Sequence, residues 1–97
     1  MRLVWSQHAT DDRLAIFMWI AQDDPQAAAN VDERIEEAAR RLIDFPNSGR
    51  PGRTEGTREL VIARTPYVAP YQIVGDIVRI LRVIHGARMW PSSIASE

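Results

Sequence analysis

His85, Arg88 and Trp90 fall within six residues of one another, at the end of the most apolar β-prone run of the chain, "LRVIHGARMWP", which also carries Arg82. Imidazole exchanges protons near neutrality, and arginine presents a permanently charged planar fork that matches phosphate and carboxylate. With Arg58 and Arg64, these residues make a candidate anion-binding surface. Cleavage of RNA by its own 2′-hydroxyl needs a proton acceptor, a donor for the leaving oxygen and cations around the phosphate, and no metal ion. Arg88 and Arg82 would stabilise the phosphate charge in such a reaction, and His85 would exchange protons. Plainer roles compete: His85 as a hydrogen-bonded structural histidine, Trp90 as an apolar plug over an open edge of the core, Arg82 stacked on Tyr67 and Tyr71 or paired with Glu59. Arg88 is the hardest to explain structurally, because it lies just beyond the strand end at Gly86 and carries its charge off the sheet edge. Gly86 is expected to lend the backbone the freedom to turn the cluster outward.

Other chemistries find little support in the residues. Cysteine is absent from the 97 residues, which excludes disulfides, thiolate catalysis and cysteine-based zinc sites. His8 and His85 are far apart and no HExxH-like spacing occurs, so no metal and no cofactor is expected. The first residues lack an apolar leader and no run is long enough to span a bilayer, so a cytoplasmic location without membrane contact is expected. The net charge of −1 conceals an asymmetry: residues 1–47 sum to −4 and residues 48–97 to +3. All twelve basic residues are arginine. A positive face for a polyanion is one reading of that split, and a solvated surface is the other.

The elements that must position the cluster can be read from periodicity. Arg2 to Trp5 is a short β-prone run closed by Ser6, a suitable cap for a helix from Gln7 to about Asp23, on which Leu14, Phe17, Met18 and Ala21 recur at helical spacing. Asp24 and Pro25 are a cap and first-turn pair for a second helix, whose stripe is Ala28, Val31, Ile35, Ala38 and Leu42 and which Phe45-Pro46 ends. The short connection predicts an antiparallel helical hairpin. A Gly/Pro-rich loop follows from Asn47 to Thr57, with Arg50 and Arg53 at its tip. Three β-runs complete the chain, Arg58 to Arg64, Tyr67 to Val74 and Ile77 to His85, the last two joined through Gly75-Asp76 as a tight hairpin. Counting outward from that turn pairs Ile73 with Val78, Tyr71 with Ile80, Ala69 with Arg82 and Tyr67 with Ile84, so Arg82 would lie between two tyrosine rings. The order is β-α-α-β-β-β, an α+β domain with a helical hairpin on one face of a mostly antiparallel four-stranded sheet.

The segments "GTRELV", "YVAPYQI" and "VRILRVIHGARMWP", in that order, resemble the RelE/ParE superfamily of bacterial type II toxins over the whole chain. The resemblance implies a growth-inhibiting toxin neutralised by a cognate antitoxin that wraps the helices and sheet, for which Leu14, Phe17 and Met18 are the expected contacts. Two targets occur in the superfamily: RelE-like members cut messenger RNA on the ribosome, and ParE-like members poison DNA gyrase. The RNA-cutting members carry an arginine three residues before the tyrosine of the third strand, a second after the fourth strand, and often a C-terminal tyrosine. This chain has Val68 at the first position, Arg88 at the second, and Ile94, with Trp90 nearby, at the third. Ribosome-directed members also tend to be strongly basic, as a polyphosphate surface demands. The expectation is therefore a gyrase poison with Arg50, Arg53, Arg58, Arg64 and Trp90 on its target-binding surface. The alternatives are a ribosome-dependent endoribonuclease using Arg88, His85 and Arg82, and a non-toxic binding or co-repressor subunit.

Overall fold

The computed structural model describes residues 1–92 and residue 94. Strand β1 (Arg2–Trp5) leads into helix α1 (Gln7–Ala21), which begins where the Ser6 hydroxyl accepts the amide of Ala9 at 3.0 Å. The same hydroxyl donates to the carbonyl of Leu81 at 2.8 Å, so one cap also ties the helix start to the far end of the chain. Helix α2 (Pro25–Arg40) starts from the Asp24 cap and continues as a 3₁₀ turn, Arg41–Ile43. Both helices are a little shorter than the periodicity predicts. Leu42, the last member of the predicted stripe, lies in the 3₁₀ turn and is still fully buried. Arg13 of α1 locks the hairpin through two hydrogen bonds to Asp32 of α2, at 2.9 and 2.8 Å.

Among the described residues the sheet has the strand order β1-β5-β4-β3-β2, with a short sixth strand also paired to β4. The further strands are β2 (Arg50–Pro51), β3 (Arg58–Val61), β4 (Tyr67–Val74), β5 (Ile77–Ile80) and β6 (Ile84–His85). Only β1 against β5 is parallel. The architecture is the predicted one, two helices against a mostly antiparallel sheet, with three local differences. The loop from Asn47 to Thr57 contributes β2, which pairs Arg50 with Glu59 and Pro51 with Arg58. Strand β3 stops at Val61, and the chain then turns through Arg64, whose φ of 63° is an unusual left-handed conformation for a residue with a side chain. The last predicted strand is broken between Ile80 and Ile84.

The β4–β5 hairpin has the predicted register: Val74 faces Ile77, Ile73 faces Val78 and Tyr71 faces Ile80. Gly75, at φ 60°, makes the two-residue turn without strain. Tyr71, Val78 and Ile80 pack with Ile35, Ala38, Ala39 and Leu42 in the core between helices and sheet. Each fully buried aliphatic side chain of this size contributes about 1.5–3 kcal/mol. Val68, Pro70 and Leu81, which alternate onto the opposite face, are buried as well. No helix among the described residues is long and apolar enough to cross a membrane.

Candidate functional site

The break in the last strand determines where the chemistry-bearing residues lie. Leu81 continues the hairpin ladder by donating to the carbonyl of Pro70 at 2.9 Å. Pairing resumes with Val68 opposite Ile84 and Tyr67 opposite His85, one residue out of step with the Tyr67–Ile84 pairing that the sequence predicts. One extra residue is therefore accommodated between Leu81 and Ile84, which is a β-bulge. A one-residue slip exchanges the two faces of everything beyond it. His85, predicted on the face opposite the tyrosines, instead stands against Tyr67 with ring centroids 5.8 Å apart and planes at 80°.

Arg82 does not sit between Tyr67 and Tyr71 and does not reach Glu59. It reaches across to α1 and binds Asp12 with both branches, Nε at 2.7 Å and Nη2 at 2.9 Å. These hydrogen bonds hold its guanidinium still more firmly protonated than usual. The imidazole of His85 accepts the amide of Ala87 on Nδ1 at 3.2 Å, which leaves Nε2 to carry the proton of the neutral ring. Its carbonyl accepts the amide of Arg88 at 3.1 Å, closing a tight turn, and the indole N–H of Trp90 at 3.3 Å. Gly86 has no left-handed backbone, contrary to its expected role. A Cβ there would lie 3.3 Å from the Val68 side chain and 3.4 Å from the Pro66 carbonyl, so the residue serves close approach to β4.

The turn and α1 enclose a cleft of about 450 Å³ lined by Asp12, Trp19, Tyr67, Arg82, His85, Arg88 and Met89. Trp19 and Met89 are well exposed. Arg88 is exposed too, and it is held in no ion pair among the described residues. The cleft thus combines aromatic and thioether surface, a half-buried imidazole and one arginine that pairs with no described acid. The sequence points to the histidine and arginines of this cleft, and neither Asp12 nor Trp19 stands out in it. No local signal would have identified Asp12, whose partners lie 70 and 71 residues away in the sequence.

The remaining arginines singled out in the sequence are distributed elsewhere. Arg50 and Arg53 converge on Glu59, which is 3% exposed: Arg50 Nη2 lies 2.9 Å from one carboxylate oxygen, and the backbone amide of Arg53 donates to the other at 2.9 Å. The guanidinium of Arg53 then stacks 3.5 Å above the Trp90 ring. Arg58 donates to the carbonyls of Gly49 and Asn47. Arg64 is exposed on the turn after β3, beside Arg34 and Glu37 of α2. On α1, Leu14 and Met18 are each 60% exposed, whereas Phe17 is half-buried in a groove with Trp5 and Asp32. Val68 and Ile94, at two of the positions where RNA-cutting relatives differ, are both buried. Among the described residues no group of three or more acids and histidines is disposed to hold a metal ion.

The chain is similar to known toxins in both sequence and structure. It is 47% identical over 90 residues to the toxin candidate Y4kP of Sinorhizobium fredii, with 93% of each chain covered. It is 38% identical to toxin RelE2 of Caulobacter vibrioides, covering 91% of this chain and 98% of that one. A toxin–antitoxin structure described as the chromosomal ParDE system of P. aeruginosa superposes with a TM-score of 0.78 at 30% identity, over 88% of this chain and 95% of that one. The RelBE2 toxin–antitoxin complex of Mycobacterium tuberculosis superposes with a TM-score of 0.58 at 28% identity, over 87% and 95%. Residues 3–90 match the family model described as the ParE toxin of the type II toxin–antitoxin system, parDE. With residues 3–90 matched by that model, and with a fold that superposes on solved toxin–antitoxin structures, the chain belongs to the ParE toxin family within the RelE/ParE superfamily.

Proposed function

We propose that this toxin arrests growth by poisoning DNA gyrase, using the cleft-lining turn from His85 to Trp90, and that a cognate antitoxin neutralises it by covering α1. The observation that carries the choice of target is the Asp12–Arg82 pair. An arginine whose Nε–Nη2 edge is bound to a carboxylate that is itself only 18% exposed has its charge offset by that partner and its guanidinium held against α1, which weakens its pull on a phosphate. Of the three arginine and histidine groups expected to serve RNA cleavage, Arg82 is thus occupied, and Val68 stands buried where RNA-cutting members have a further arginine. Gyrase poisoning needs a protein-binding surface instead, and Trp19, Met89 and Arg88 are the residue types that anchor such surfaces. The antitoxin reading is supported by the exposed Leu14 and Met18 ridge and by the similar structures being those of toxin–antitoxin complexes.

One observation favours a second reading. Arg88, exposed beside His85, matches a position that RNA-cutting members share, so ribosome-dependent endoribonuclease activity is the alternative. The test is to induce the chain alone in a bacterial host, assay supercoiling by purified gyrase with and without it, and map transcript 5′ ends. Growth arrest with lost supercoiling and intact transcripts is the expected outcome. New transcript ends with gyrase untouched would reverse the assignment, and harmless expression would remove the toxic activity altogether.

A further inference from the structure

Strand β4 places Ala69 and Pro70 between its two paired blocks, whereas the opposite strand places Leu81, Arg82 and Val83 there. A bulge of this kind leaves one backbone N–H without a ladder partner. That group belongs to Val83, and it donates to Asp12 Oδ2 at 2.9 Å. The same carboxylate receives both branches of Arg82, so a single side chain on α1 takes three hydrogen bonds from two successive residues of the bulge. Val83 is buried and Asp12 and Arg82 are both partly buried, so this is an anchored contact rather than a surface pair. Alternation of side chains makes the consequence large. Without the extra residue Ile84 would oppose Tyr67, and His85 would pass to the other face of the sheet, away from Trp19 and the cleft.

We propose that Asp12 is the positioning residue of the cleft. Its carboxylate fixes the one-residue bulge and thereby keeps the turn carrying His85 and Arg88 on the side where α1 stands. The inference rests on the reading of this cleft as the target-facing surface. It also makes α1 a two-sided element, since Leu14 and Met18 lie on the exposed ridge of the helix that carries Asp12.

The experiment compares the full chain with Asp12→Ala, Asp12→Asn and the core control Val78→Ala, each by melting, by NMR of the Val83, Arg88 and His85 signals, and by growth arrest on induction. Asparagine keeps an acceptor for the Val83 amide and loses the charge that binds Arg82, so it separates the two contacts if the alanine variant is poorly folded. In the Asp12 variants the His85 ring signals, which lie beside the Tyr67 ring in the wild type, should move together with the Arg88 amide. Growth-arrest potency should fall about tenfold or more, as misplacement of a contact group does. Val78→Ala, destabilised comparably, should keep its potency within about twofold and leave the His85 signals in place. Unchanged His85 and Arg88 signals in the Asp12 variants, or potency that simply follows melting temperature across all three, would overturn the proposal. If the wild-type chain fails to arrest growth, the target-facing reading of the cleft fails, while the NMR signals still decide whether Asp12 positions the turn.

Discussion

Glu59 is the carboxylate around which the loop after α2 is organised. Burial by itself would raise its pKa, but hydrogen bonds from the Arg53 amide and the Arg50 side chain, with the two adjacent positive charges, bring it below the ordinary value of 4.5. A depressed folded-state pKa contributes stability that is present above the unfolded value and is lost as pH falls through the folded one. The wild-type protein should therefore lose stability below about pH 4.5, and Glu59→Gln should flatten that part of the profile. At neutral pH the same substitution should cost about 1–2 kcal/mol, because Arg50 and Arg53 lose a charged acceptor. Chemical denaturation of the two proteins across the acid range checks both statements. The same residue shows how far type alone can mislead about role. Arg50 and Arg53 read as exposed cations at a loop tip, yet each spends hydrogen bonds on Glu59, and Arg53 also carries the Trp90 ring.

Helix α1 departs from the usual amphipathic pattern in having apolar residues on several sides. Ala9 is buried, Ile16 packs against the core, and Leu14, Met18 and Trp19 face outward. A helix apolar all round is normally covered all round, and the outer side of this one carries Leu14, Met18 and Trp19 at 60–66% exposure. Leu14→Asp or Met18→Asp should consequently abolish or strongly weaken capture of the antitoxin in co-purification, while the melting temperature shifts little because both side chains are mostly in solvent. Within the sheet, strand β4 performs a different task. The Tyr71 hydroxyl, buried and with its pKa raised by that burial, accepts the amide of Gly49 at 2.9 Å and donates to the carbonyl of Pro46 at 2.7 Å. Tyr71→Phe keeps the ring and strands both backbone groups. It should cost about 1–2 kcal/mol in thermal or urea denaturation, with the chain around Gly49 exchanging its amides faster.

For the molecule as a whole, binding of an antitoxin to the folded state alone must raise apparent stability by mass action. At a hundredfold excess over the dissociation constant the gain is about 2.7 kcal/mol, or about 10 °C in melting temperature for a chain of this size. Melting the toxin alone and with the product of the neighbouring reading frame measures it, and no shift at saturating concentration would count against that partner. Much of this molecule was legible in its residues: the caps Ser6 and Asp24, the α2 stripe and the Gly75-Asp76 turn depend on neighbours within a few positions, and the order of motifs pointed to the superfamily. Alternation carried the hairpin register correctly from Val74–Ile77 to Tyr71–Ile80. It failed at Arg82 and Val83, because the bulge is held by a carboxylate from a helix 70 residues earlier, and no pattern within the strand records that contact. The sequence by itself determined the two helices, the four main β-runs and their order, since those depend on local spacing and capping. Only the tertiary structure decided which arginines are occupied, which remain available and on which side of the sheet the histidine stands, because charge pairing and strand register are settled between segments that meet only when the chain is folded.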